Sequence, residues 1–203
     1  MIIIPANTIS GGYEVANSLR FDDGSTDYLS KTFGSAGNRK IYTISFWIKR
    51  SNISEENFLI SSSTTIGSNN RDAIRFESGD SLRFFFNGAS SGDLKTNALF
   101  RDVSAWYHIL ASVDTSQSTA SNRVKLYING VQETSFATET YPSQNYEGNV
   151  NNNDTHRIGM DTSNTNNGYN GYMAEVCLID GQQLTPTSFG EFDEDSGIWK
   201  PID

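Results

Sequence analysis

Apolar and polar residues alternate through most of this chain, and the period is two. The longest run is residues 41–50, with Tyr42, Ile44, Phe46 and Ile48 on one side and Thr43, Ser45, Trp47 and Lys49 on the other. That pattern predicts a strand with one buried face. Residues 106–114 are apolar and β-branched enough for a second strand. Val124, Leu126 and Ile128 alternate with Lys125, Tyr127 and Asn129, which predicts a third. It ends in Asn129-Gly130, a pair that tolerates positive φ at both positions of a two-residue hairpin turn. Residues 131–136 are then the returning strand.

The same reading gives strands at 18–21, 26–33, 57–63, 72–77, 81–87, 155–161 and 171–180. Polar, Asn- and Gly-rich loops at 87–97, 137–154 and 162–170 join them. Residues 185–189 read as a single capped helical turn, and no long 3.6-residue periodicity appears. The expected core is Ile44, Phe46, Val124, Leu126, Ile128, Ala174 and Val176. Trp47, an aromatic among polar residues, either covers a loop or lines a groove. Cys177 lies in an apolar strand and reads as a buried thiol.

The boundaries are an arm at 1–15, a domain at 16–192 and a tail at 193–203. In the arm, Ile2, Ile3 and Ile4 precede Pro5, and Gly11-Gly12 forms a joint. Three consecutive Ile need burial, on the domain's own sheet edge or on a neighbouring chain, and the expectation is a partner-binding arm in which residues 1–10 contact another chain, of this protein or of a scaffold. The run lacks a basic start and stops at Pro5, so it does not read as a secretion signal.

Composition narrows the chemistry. A net charge of −9 repels phosphate backbones and argues against nucleic-acid binding. A single cysteine rules out an intrachain disulfide framework and suits synthesis in a reducing cytoplasm. No segment is long or apolar enough to span a membrane.

The order of motifs carries a likeness. It runs through residues 42–48, Trp106-Tyr107-His108 with Asp114, Lys125 to Gly130, Arg157-Ile158-Gly159-Met160, residues 171–176 and Leu184-Thr185-Pro186. Over about residues 16–192 it resembles the concanavalin A-like lectin/glucanase superfamily, in its laminin G-like and pentraxin-like branch. The resemblance implies an all-β jelly-roll sandwich of two antiparallel sheets. Residues 179–201 look like the laminin G-like modules common in structural proteins of marine tailed bacteriophages. That implies a virion protein, a head decoration or tail-fibre module, on the particle surface. Its partners would be other virion proteins, copies of itself or host-surface polysaccharide.

Hydrolases of the superfamily use Glu-x-Asp-x-Glu on one strand. The nearest match, Glu191-Phe192-Asp193-Glu194-Asp195, ends in Asp and lies near the C-terminal end, so it reads as a solvated acidic turn. His108 and His156 neighbour no nucleophile turn, and no Gly-x-Ser-x-Gly occurs. The expectation is a protein without catalytic residues. Relatives hold calcium at a sheet rim, and Asp154 and Asp161, with Asn164 and Asn167, are the residues that could converge on such an ion. Calcium is the one cofactor indicated. Asn164, Asn167, Tyr169 and Tyr172 could instead bind glycan, the rings stacking on sugar faces and the amides bonding hydroxyls. The plain structural alternative is that Tyr172 is core and Tyr169 surface.

Overall fold

The computed structural model describes residues 13–203, and the segment with Ile2, Ile3 and Ile4 lies outside them. Strands are numbered in chain order. One sheet has the order β1 (Leu19–Phe21), β13 (Gly171–Asp180), β3 (Ile41–Arg50), β8 (Tyr107–Asp114), β9 (Val124–Ile128) and β10 (Val131–Gln132). The other has the order β11 (Phe136–Thr140), β7 (Gly92–Leu99), β6 (Ser81–Phe86), β5 (Arg71–Phe76), β4 (Asn57–Ser63), β12 (Thr155–Ile158) and β2 (Leu29–Thr32). A ribbon of β14 (Gly190–Phe192) and β15 (Trp199–Pro201) completes the described strands. All pairings are antiparallel. Helix among the described residues is confined to two 3₁₀ turns, Ala120–Asn122 and Pro186–Ser188. This is the jelly-roll sandwich that the alternation and the likeness imply.

The two large sheets face each other across one core. Tyr42, Ile44, Phe46 and Ile48 of β3 are buried in it, together with Val124 and Leu126 of β9. Ile74, Phe76, Leu82, Phe84 and Phe86 supply the opposite wall. Ile128 and Val176 are partly buried against the same core. Asn129 and Gly130 have φ of 48° and 80°, the positive pair that the β9–β10 hairpin requires.

Several expectations need correction. Ala174 does not face the main core. It packs against Trp47 and Trp199 on the outer side of its sheet. Ala174 and Val176 were placed together by period two, but the register shifts between Ala174 and Cys177. Glu175 is the extra residue, with φ of 49°, and such a bulge flips the residues after it. Cys177 is half-buried rather than buried. The return strand expected at 131–136 stops at Gln132, and Phe136 opens β11 in the opposite sheet. Most of β7 and β11 falls in segments read as loops. Their side chains are largely polar, and Leu94 is the one β7 hydrophobe in the core. Hydrogen bonds to neighbours on both sides make β7 a strand all the same. Residues 193–203, set apart as a tail, contain β15 and the buried Trp199.

Candidate functional site

The outer face of the six-stranded sheet is the more aromatic of the two. Cross-strand register puts Ala174, Trp47 and His108 in one row, and Tyr172 beside Lys49 in the next. Trp106 precedes β8 at that second level. The segment before β1 runs over the same face, with Val15 packed on Trp47, Ala174 and Trp199. These pieces leave a cleft of about 380 Å³ whose lining includes Tyr13, Glu14, Trp47, Trp106, Ala174 and Pro201. Trp106 and Tyr13 stay 38% and 39% exposed, whereas Trp47 is only 8% exposed. So Trp47 both lines a groove and lies under a crossing segment, and the freer rings stand beside it.

A sealed stack underlies the cleft. Trp47 lies 5.0 Å from the His108 ring, and His108 lies 5.9 Å from Trp199. Trp199 Nε1–H donates to His108 Nδ1 at 3.0 Å. An indole nitrogen only donates, so Nδ1 must be the acceptor and the imidazole proton sits on Nε2. Nε2–H then donates to Ser45 Oγ, 2.8 Å away. His108 therefore has no free lone pair with which to take a proton from Ser45, and this Ser–His pair is not an activated nucleophile. Burial pushes the His108 pKa down to about 4, so the ring is neutral near pH 7. Gly130 completes the seal, because a Cβ there would meet the Trp199 ring at 2.4 Å.

The expected glycan residues divide between places. Tyr172 is 38% exposed, on the outer face beside the cleft, with the Arg20 guanidinium 5.4 Å from its ring centroid. Tyr169 is fully buried. Its hydroxyl donates to the Lys49 carbonyl at 2.8 Å, and burial raises its pKa strongly. It passes over Gly171, where a Cβ would come within 2.5 Å of its hydroxyl oxygen. Tyr169 thus offers no face to a sugar, and the core and surface roles of the two tyrosines are the reverse of the structural alternative. Asn164 and Asn167 belong to the other sheet's surroundings. Asn164 Nδ2 donates to Asp161 at 3.2 Å, and Asn167 Nδ2 to Glu56 at 3.1 Å.

The calcium candidates do not converge either. Asp154 and Asp161 sit beyond opposite ends of β12. Asp161 lies 2.8 Å from Arg71 Nε, an ion pair whose N–H is not aligned for a hydrogen bond. It also accepts from the Ser163 amide and hydroxyl at 2.9 and 2.5 Å. Asp154 accepts from Asn152 Nδ2 at 2.6 Å. Among the described residues no three His, Cys, Asp or Glu side chains gather as a metal would need. In the acidic run, Asp193 accepts from the Ser196 amide at 2.9 Å and Lys200 Nζ at 3.1 Å. The Ser196 amide first, and then Lys200, pull its pKa to about 2. It closes the β14–β15 turn as a carboxylate.

The outer face of the seven-stranded sheet also carries aromatics, Phe58 and Phe85, but both are buried. Arg75 lies over both rings, 5.1 and 5.5 Å from their centroids. Arg71 does the same at 5.3 and 5.5 Å, and Arg83 lies 5.3 Å from Phe85. Each guanidinium has acids beside it. Arg83 makes two 2.7 Å bonds to Asp93, Arg75 pairs with Glu56 and Glu77, and Arg71 pairs with Asp161.

The cleft residues Trp106 and Tyr13 were not singled out from the sequence as binding residues. The available signal was Trp47 on a polar strand face, with a second Trp at the entry to a strand. Only pairing put the two side by side.

Comparison with known proteins fits this geometry. No curated protein sequence matches the chain. Among solved structures, a heptameric SAP-like pentraxin from Limulus polyphemus superposes with a TM-score of 0.54 at 16% identity, over 79% of this chain and 72% of that one. Laminin α1 domains LG4-5 from mouse give 0.58 at 14% identity, over 96% of this chain and 46% of that one. Domain 4 of the arabinanase AbnA from Geobacillus stearothermophilus, in complex with arabinotriose, gives 0.50 at 16% identity, over 74% and 65%. This chain therefore corresponds to about half of the laminin pair and just under two thirds of the arabinanase domain. These likenesses establish the fold. A family profile matches residues 23–187, and with that span the chain belongs to the concanavalin A-like lectin/glucanases superfamily.

Proposed function

We propose that this protein is a non-enzymatic carbohydrate-binding module whose ligand site is the cleft of Tyr13, Trp47 and Trp106. The observation that carries this is the pair of exposed rings, Trp106 and Tyr13, beside a buried third ring in a cleft of about 380 Å³. Aromatic faces fit the apolar faces of sugar rings, and Glu14 and the adjoining backbone supply polar partners for hydroxyls. The solved relative bound to arabinotriose supports a sugar-binding reading, as does function lodged on the surface of a widely reused fold. The test is titration of soluble polysaccharides by calorimetry or affinity electrophoresis. Trp106→Ala should weaken binding about tenfold, the scale of about 1.4 kcal/mol. Undiminished binding in that variant would move the site elsewhere.

The setting we propose is a virion surface, as a head decoration or tail-appendage module that contacts host polysaccharide. It rests on the likeness of residues 179–201 to marine phage structural modules. A lectin outside any virion is the competing reading. Antibody labelling of purified particles separates them, and absence from particles would remove the virion setting while leaving the sugar site standing. For the absence of catalysis, Glu191→Gln and Asp193→Asn should leave behaviour toward glucans unchanged. Glucan cleavage lost in either variant would overturn it.

A further inference from the structure

A row of side chains from neighbouring strands borders the aromatic cleft. Register pairs Arg20 of β1 with Tyr172 of β13, and Tyr172 with Lys49 of β3. Trp106 stands beside Lys49, one step beyond the last β3–β8 pair, Ile48 with Tyr107. Successive residues of a strand face opposite sides. Phe21, Met173 and Ile48 lie in the core, so Arg20, Tyr172 and Lys49 point out of the sandwich. The row therefore alternates cation, ring, cation, ring across the outer face of the six-stranded sheet. Adjacent strands lie about 4.8 Å apart, which sets the positions of the two cations about 10 Å from each other.

Neither cation is matched by an acid. Arg71, Arg75 and Arg83 on the opposite sheet, and Lys200 at the far end of this face, all pair with carboxylates. Among the described residues Arg20 and Lys49 form no ion pair, and residues 1–12 contain no acid. Asp102 takes the Ser104 hydroxyl and amide at 2.6 and 2.8 Å. These lower its pKa first, and Lys49 adds a smaller pull from beyond pairing distance. Arg20 is exposed yet held in place. Its Nη2 donates to Asn170 Oδ1 at 2.9 Å, and the guanidinium lies 5.4 Å from the Tyr172 ring centroid. Asn170 is fixed in turn, by its bond to Asp23 at 2.6 Å and by the Ser51 amide on its carbonyl at 2.9 Å. Arg20 Nε and Nη1 have no hydrogen-bond partner among the described residues. A guanidinium held this way, with donors still open, is suited to bond an anion with little further ordering.

On the reading that the Trp106 cleft holds a sugar, we propose that the ligand is an acidic polysaccharide whose carboxylate or sulfate groups bond Lys49 and Arg20. Trp106 takes the face of one sugar unit, Lys49 the acid group beside it, and Arg20 an acid group further along the same polymer. Tyr172 is a positioning residue that holds the Arg20 guanidinium. With a net charge of −9 the protein exerts no general attraction on a polyanion. Selection falls to these two local cations, and binding weakens as salt screens them.

Affinity electrophoresis at low salt with two matched pairs of polymers tests this: polygalacturonate against its methyl ester, and dextran sulfate against dextran. Wild type should bind an acidic polymer about tenfold tighter than its neutral partner, and the pair that shows the preference distinguishes carboxylate from sulfate. Lys49→Gln and Arg20→Gln should each weaken binding of that polymer about threefold, with a shallower salt dependence. Lys49→Arg, which keeps the charge, should bind like wild type, and unchanged thermal midpoints show that all variants are folded. Trp106→Ala should weaken acidic and neutral polymers alike. Equal binding of acidic and neutral polymers, lost in Trp106→Ala, would overturn the acidic ligand and leave the cleft as a sugar site. An acidic preference undiminished in both Gln variants would also overturn the proposal, by placing the anion contacts elsewhere. Acidic binding lost in the Gln variants but intact in Trp106→Ala would instead remove the cleft from the site and keep the two cations in it.

Discussion

The outer faces of the two sheets solve one problem in different ways. Each carries aromatic rings that the core does not cover. On the seven-stranded sheet, Phe58 and Phe85 are sealed by Arg71, Arg75 and Arg83, whose charges are met by Glu56, Glu77, Asp93 and Asp161. On the six-stranded sheet, Trp47 and His108 are covered by the β14–β15 ribbon through Trp199, and the cover stops short of Trp106. A ring already stacked against a paired guanidinium has little face left for a ligand. A ring beside an uncharged, partly covered stack does. The proposed sugar site therefore lies on the six-stranded face, where rings remain open, and not on the seven-stranded face.

The strongest way to break this comparison is to remove the cover. Trp199→Ala should destabilise the protein by about 3–5 kcal/mol, since it deletes a buried ring and leaves His108 Nδ1 unpaired. A shift in thermal midpoint under 1 °C would show that the ribbon is not a seal.

Acid should act on the same stack. In the unfolded chain His108 takes a proton below about pH 6.5, but in the folded protein only below about 4. Between these values the unfolded state holds more protons, so stability falls as pH drops through the window, by roughly 3 kcal/mol in all. His156 is depressed too, chiefly by burial, and acts in the same direction. Asp72 acts oppositely. Burial raises its pKa from 3.8 to about 6, so the folded state holds the extra proton and Asp72 favours folding as pH falls through that range. The difference between wild type and His108→Gln, melted at pH 7 and pH 4.5, isolates the His108 part. Identical pH dependence in the two would contradict a buried neutral imidazole.

Smaller effects sharpen the contrast. Arg83→Gln removes a bidentate partner from the nearly buried Asp93 and should cost about 1–3 kcal/mol, with sugar binding unaffected. Trp106→Ala should give the mirror image, a stability change within about 0.5 kcal/mol and a loss of sugar affinity. Denaturant titration and polysaccharide binding on both variants check this. Sugar binding lost with Arg83 and retained without Trp106 would exchange the roles of the two faces.

The sequence by itself determined much of this fold. Period-two alternation marked β3 and β9, placed Phe46 and Leu126 inside, and Asn129-Gly130 marked the hairpin, because these depend on neighbours one or two residues away. It could not mark β7 or β11, whose polar residues are made strands by hydrogen bonds to neighbouring strands and not by an apolar pattern of their own. It could not reveal the bulge at Glu175, which puts Ala174 and Val176 on opposite faces of the sheet. Nor could it assign Tyr169 to the interior and Tyr172 to the surface. Periodicity reports that one face of a strand is buried. Tertiary structure alone decided what covers the other face, because the cover comes from residues far along the chain: Trp199 is 91 residues from the His108 that it caps. The cleft is what those distant segments leave uncovered.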